Sequence, residues 1–111
     1  MKAAYLKEKM NIIIRDDRPL PEPDDSQVLI KMEFCGVCGS DVHFYREGKV
    51  GDTPAPKDFI LGHEAAGTII KAGKNVSGLN PGDRVALEPG YTCGKCEFCK
   101  TGRYNLCPDV Q

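Results

Sequence analysis

Four cysteines near the C-terminal end, Cys93, Cys96, Cys99 and Cys107, stand as C-x2-C-x2-C-x7-C, and this spacing constrains the chain more than any other feature. A C-x2-C turn sets two thiolates on one ion, and zinc takes four soft ligands in a tetrahedron with sulfurs at about 2.3 Å. Gly94 and Gly102 let the chain turn around such a centre. Four thiolates fill the coordination sphere, so the expected site is a structural zinc in a lobe at about 89–110. Two other chemistries share part of the pattern. The first three spacings with Cys107-Pro108 approach the iron–sulfur run C-x2-C-x2-C-x3-C-P, but the last gap is seven residues instead of three. Disulfides belong to exported chains, and the N-terminus offers only Ile12 to Ile14 as an apolar run, too short for a signal-peptide core. The expected location is therefore the cytoplasm, where clustered cysteines more often serve metal or redox chemistry. Gly90 to Cys96 faintly resembles a phosphate loop, but it is one residue short between its glycines and lacks the hydroxyl residue after Lys95.

The chain has 111 residues, enough for one domain with a modest core. Fifteen Lys and Arg balance sixteen Asp and Glu, which excludes a nucleic-acid footprint. No apolar run is long enough to span a membrane as a helix. Twelve glycines and eight prolines fall between short apolar runs, the pattern of strands punctuated by turns. Val28 to Phe34, Thr68 to Ala72 and Arg84 to Leu87 read as strands, and Ala3 to Leu6 with Asn11 to Arg15 as an opening hairpin. Pro19, Pro21 and Pro23 make an extended linker, and Asn80-Pro81-Gly82-Asp83 a type II turn. Gly39 to Glu47 is the one short helix expected, capped by Ser40 or Asp41. The fold class is mainly β, a sandwich or partly open barrel with little helix.

A second constellation joins Cys38 to His63 and Glu64. Only two histidines occur, His43 and His63, both in glycine-flanked polar turns. A catalytic zinc needs about three protein ligands and one open position, and Cys38, His63 and Glu64 are of the right types. In a strand His63 and Glu64 would point to opposite faces. Sharing one ion therefore requires a turn or helical start, which Gly62 permits. Cys35, following strand residue Phe34, is expected as a small buried hydrophobe.

Gly62-His63-Glu64-x2-Gly67-x5-Gly73-x2-Val76 resembles the signature of the zinc-containing medium-chain alcohol dehydrogenases. The Cys38-Gly39-Ser40-Asp41-Val42-His43 run and the four-cysteine lobe occur in the same order in that family. The wording around Cys38 to Phe44, with Gly48 to Asp52, is most similar to the sorbitol/xylitol (polyol) dehydrogenase branch. The resemblance implies that residues 1–111 are the N-terminal part of a GroES-like catalytic domain, a partly open and here incomplete β-barrel. It implies two zinc ions, one structural and one catalytic. Catalytic zinc falls to Cys38 and His63, and to Glu64 as in polyol dehydrogenases, whereas many relatives hold that position behind the ligands. Asp41 matches the carboxylate that orients the zinc-bound histidine. Ser40 and His43 match a proton relay from substrate oxygen to solvent, and Phe44 stands in the substrate pocket where polyol enzymes often carry Tyr.

The implied reaction is oxidation of a secondary alcohol or polyol to a ketone, with hydride passing to NAD or NADP. No G-x-G-x-x-G follows a strand here, so the Rossmann domain for that cofactor is absent from this chain, and the isolated chain is expected to be inactive. A homo-oligomer is expected, with no nucleic-acid or membrane partner. The alternative is a non-enzymatic zinc-binding or interaction module derived from the same family.

Overall fold

Two short apolar runs at the N-terminus pair as a hairpin in the computed structural model, which describes residues 1–110. Strand β1 (Ala3–Glu8) pairs antiparallel with β2 (Asn11–Arg15), from Ala3 opposite Arg15 to Glu8 opposite Asn11. Tyr5 and Leu6, on opposite faces of β1, are both buried, and the Arg15 guanidinium lies 4.7 Å from the Tyr5 ring centroid, over its face. At the hairpin tip the Met10 amide donates to the Tyr45 carbonyl at 2.8 Å, which ties the hairpin to helix α1 (Gly39–Glu47). Short strand β6 (Phe59–Ile60) completes a sheet in the order β2-β1-β6.

A second sheet runs β3-β7-β8, from β3 (Val28–Cys35), β7 (Ala65–Ala72) and β8 (Arg84–Ala86), all antiparallel. Ala65, Gly67 and Ile69 of β7 turn one face inward, and Ile69 is 1% exposed, the tightest point of the core. Gly67 is demanded by a close approach: a Cβ there would collide with the Lys31 carbonyl oxygen of β3. Between β7 and β8 the Asp83 amide donates to the Asn80 carbonyl at 3.1 Å and Gly82 has φ +99°, as expected of a type II turn. A two-stranded ribbon of β4 (Lys49–Val50) and β5 (Thr53–Pro54) follows α1. Helix α2 (Glu97–Lys100) and a 3₁₀ turn (Tyr104–Leu106) lie in the cysteine lobe.

The architecture is mainly β with little helix, and no closed barrel forms among the described residues. Three local expectations are corrected. Strand β7 begins at Ala65, three residues earlier than the β-branched run at Thr68 suggested, because Cys35 and Phe34 of β3 continue the ladder opposite Ala65 and Ala66. Helix α1 is capped at Cys38, with Asp41 inside the first turn, so neither Ser40 nor Asp41 is the cap residue. Cys35 is exposed: the half of β3 from Lys31 onward has no layer packed over it among the described residues. No helix of the described residues is long and apolar enough to cross a membrane.

Candidate metal centres

Two groups of donors converge. In the first, ligand atoms of Cys38, His63 and Glu64 all lie within 4.8 Å of one another, with Cys38 and His63 half-buried and Glu64 exposed. Cys38 stands at the start of α1, in extended conformation with φ −79° and ψ 156°. His63 and Glu64 occupy the irregular stretch between β6 and β7. Gly62, at φ +99°, bends the chain just before His63 and Glu64, which both face one point as they could not in a regular strand.

Asp41 joins the two segments. Its carboxylate, 7% exposed, accepts the Cys38 amide at 3.0 Å through Oδ2 and the Gly62 amide at 3.1 Å through Oδ1. Oδ1 also lies 3.6 Å from Nδ1 of His63, which leaves Nε2 as the free ring nitrogen. A carboxylate beside one ring nitrogen suits a histidine that offers the other to a metal. A third tie runs from the Gly36 amide to the Glu64 carbonyl at 2.7 Å. Sequence reasoning missed Gly36, because a backbone contact across the fold leaves no spacing signal.

Ser40 is half-buried and His43 exposed, three residues apart and so on one face of α1. The groups that reach Asp41 are the backbone amides and His63, not these two side chains. Phe44 is half-buried, its ring 4.8 Å from that of Phe59 in an edge-on pair. Behind the donors lies an apolar cavity of about 350 Å³, walled by Ile12, Cys35, Val37, Val42, Tyr45 and Leu61, with Asp41 on one side.

The second group is Cys93, Cys96, Cys99 and Cys107, whose sulfurs also lie within 4.8 Å of one another, Cys107 being buried. A tetrahedron with bonds of about 2.3 Å has sulfur–sulfur edges of about 3.8 Å. The Cys93–Cys99 and Cys96–Cys99 separations are 3.9 and 3.5 Å, so the set fits a tetrahedral thiophilic ion. Amides of Cys96 and Cys99 each donate to the sulfur three residues earlier at 3.4 Å. Amide donation from Lys95 and Cys96 holds the Cys93 thiol well below its usual range, at about 6, and the thiolate is the form that binds metal. The Tyr104 hydroxyl donates to Glu88 at 3.2 Å and fastens the 3₁₀ turn to the chain entering the lobe.

Comparison with known proteins gives a consistent neighbourhood. The profile of the alcohol dehydrogenase GroES-like domain matches residues 24–111. The sorbitol dehydrogenase of Bacillus subtilis (strain 168) is 52% identical over 111 residues, which is all of this chain and 31% of that protein. An oxidoreductase/dehydrogenase of unknown specificity from Escherichia coli superposes with a TM-score of 0.86 at 42% identity, over 99% of this chain and 32% of its own. A cobalt- and zinc-bound thermostable alcohol dehydrogenase from Pyrobaculum aerophilum superposes at 0.77 with 27% identity, over 98% of this chain and 32% of its own. The chain spans about a third of the length of the curated relatives it matches.

Proposed function

The chain belongs to the alcohol dehydrogenase GroES-like domain family, and from that premise we propose that it is the metal-holding N-terminal part of a zinc-dependent polyol dehydrogenase. The reaction is oxidation of a secondary alcohol to a ketone, and the observation that carries the reading is the convergence of Cys38, His63 and Glu64 around buried Asp41. When bound, zinc supplies Lewis acidity toward the substrate hydroxyl, and NAD or NADP, bound outside these residues, takes the hydride.

The chain's own residues have three tasks in this reading. Cys38, His63 and Glu64 present a thiolate, an imidazole and a carboxylate to one ion, while Asp41 fixes their spacing and the tautomer of His63. Ser40 and His43, along one face of α1 toward exposed His43, carry the substrate proton to solvent, the imidazole offering one donor and one acceptor nitrogen. Phe44, braced by Phe59, forms an apolar wall of the substrate pocket. The four-cysteine lobe holds the second zinc as a structural clamp. A cytoplasmic homo-oligomer associating through uncovered strand edges belongs to the same reading.

Elemental analysis of protein purified without added zinc tests this. Two zinc ions per chain are expected, one lost in His63→Ala and the other in Cys96→Ser. A single ion that survives His63→Ala would overturn the catalytic-metal assignment. On the same reading, the 111-residue chain alone shows no NAD(P)-dependent oxidation of sorbitol or xylitol, and measurable turnover would refute that part.

A further inference from the structure

We propose that the absence of a side chain at Gly36 seats the Glu64 carboxylate among the metal donors, so that residue 36 decides whether the ion has its third protein ligand. The inference rests on reading Cys38, His63 and Glu64 as a metal centre. Backbone conformation gives no reason for glycine here, because Gly36 lies outside the left-handed region occupied by seven other glycines of the chain. Space does. A Cβ at this position would lie 2.6 Å from Oε2 of Glu64, 3.1 Å from its Cβ and 3.5 Å from its carbonyl oxygen. The three nearest atoms thus all belong to one residue, and it is one of the donors.

What would yield is equally specific. The closest atom is the free end of a flexible side chain, so a methyl group at 36 would swing the carboxylate aside rather than break the fold. Gly67 is the opposite case, since the atom met there is a backbone oxygen of β3. The Gly36 amide already holds the Glu64 carbonyl at 2.7 Å, so the backbone of Glu64 stays in place while its carboxylate moves. No atom of Cys38 or His63 is among the three nearest that a Cβ at 36 would meet. Gly36 is therefore a positioning residue acting through Glu64 alone.

The test is a cobalt titration of the full metal-free chain, read by the visible bands of Co²⁺ and by stoichiometry, for wild type, Gly36→Ala, Glu64→Ala and the double variant. Gly36→Ala is expected to weaken the Cys38–His63–Glu64 site by about tenfold or more and to shift its visible bands, since displaced supports of metal ligands typically cost 10–100-fold. In the Glu64→Ala background the same change should cost less than about twofold, the signature of action through that side chain. Loading of the four-cysteine site should be unchanged. Equal losses in both backgrounds, no loss in either, or a Gly36→Ala chain that fails to load the four-cysteine site would each overturn the proposal. A wild-type chain that takes up only one cobalt ion overturns the metal-centre reading and the proposal together; two ions with Gly36→Ala indifferent overturn the proposal alone.

Discussion

At the scale of single residues, Asp41 ranks above the donors themselves. On its own it reads from the sequence as a helix cap, and its reach across to Gly62, twenty-one positions away, has no local signature. The four lobe cysteines were legible because their spacing is nearly the geometry of the site. Cys38, His63 and Glu64 were grouped by ligand type and then by family resemblance, since nothing periodic links residues on α1 to the stretch before β7. Replacing Asp41 with Ala removes a carboxylate acceptor from two amides, and hydrogen bonds to charged groups are worth about 1.5–3 kcal/mol each. The expected loss of stability is about 2–4 kcal/mol by urea unfolding, with Asp41→Asn losing roughly half, because one oxygen acceptor survives. A change under about 0.5 kcal/mol, the range of ordinary surface substitutions, would mean that Asp41 does not join the two segments.

At the scale of elements, the strands were readable where β-branched residues alternate and unreadable where small ones do the pairing. Ala65 to Gly67 carry little strand propensity, yet they form the buried start of β7, because small residues allow β3 and β7 to approach. Cys35 was misjudged for a related reason: its neighbours look like a buried strand, but the outer half of β3 is bare. Two glycines separate these effects. Gly67→Ala should destabilise by about 1–3 kcal/mol or more, as an overpacked backbone contact does. Gly39→Ala, where an added Cβ meets nothing within 4 Å, should stabilise by about 0.4–1 kcal/mol through the unfolded chain. Chemical denaturation of both variants checks the pair, and the same sign for both would refute the distinction.

At the scale of the whole molecule, the described chain is loosely gathered. Its Cα radius of gyration is 16.0 Å, against about 13 Å for a compact domain of this length. The buried apolar set is Tyr5, Leu6, Ala65, Ile69 and Cys107, while Phe34 is 68% and Val37 80% exposed. With a core this small, the proposed metal ions would supply much of the cohesion, because an ion that binds only the folded form adds its binding energy to folding. Chelation is therefore expected to lower the thermal midpoint by about 10 °C or more, a ΔΔG of 1 kcal/mol being worth roughly 4–8 °C at this size. Differential scanning calorimetry with and without chelator reads it, and an unmoved midpoint would mean the fold does not lean on metal. The mainly β character was legible from turns and short runs, but the looseness was not, since apolar residues on uncovered faces look like core in a sequence.

The clamp made by Asp41 and Gly36 has a consequence for how such a chain can diversify. Between the two ligand-bearing segments the backbone makes an excursion through the β4–β5 ribbon, and both ends of that excursion are pinned independently of what lies between. Lengthening a pinned loop is thermodynamically mild, about 0.6 kcal/mol for each doubling. The ribbon is thus free territory, where residues can be added or exchanged while Cys38, His63 and Glu64 keep their spacing.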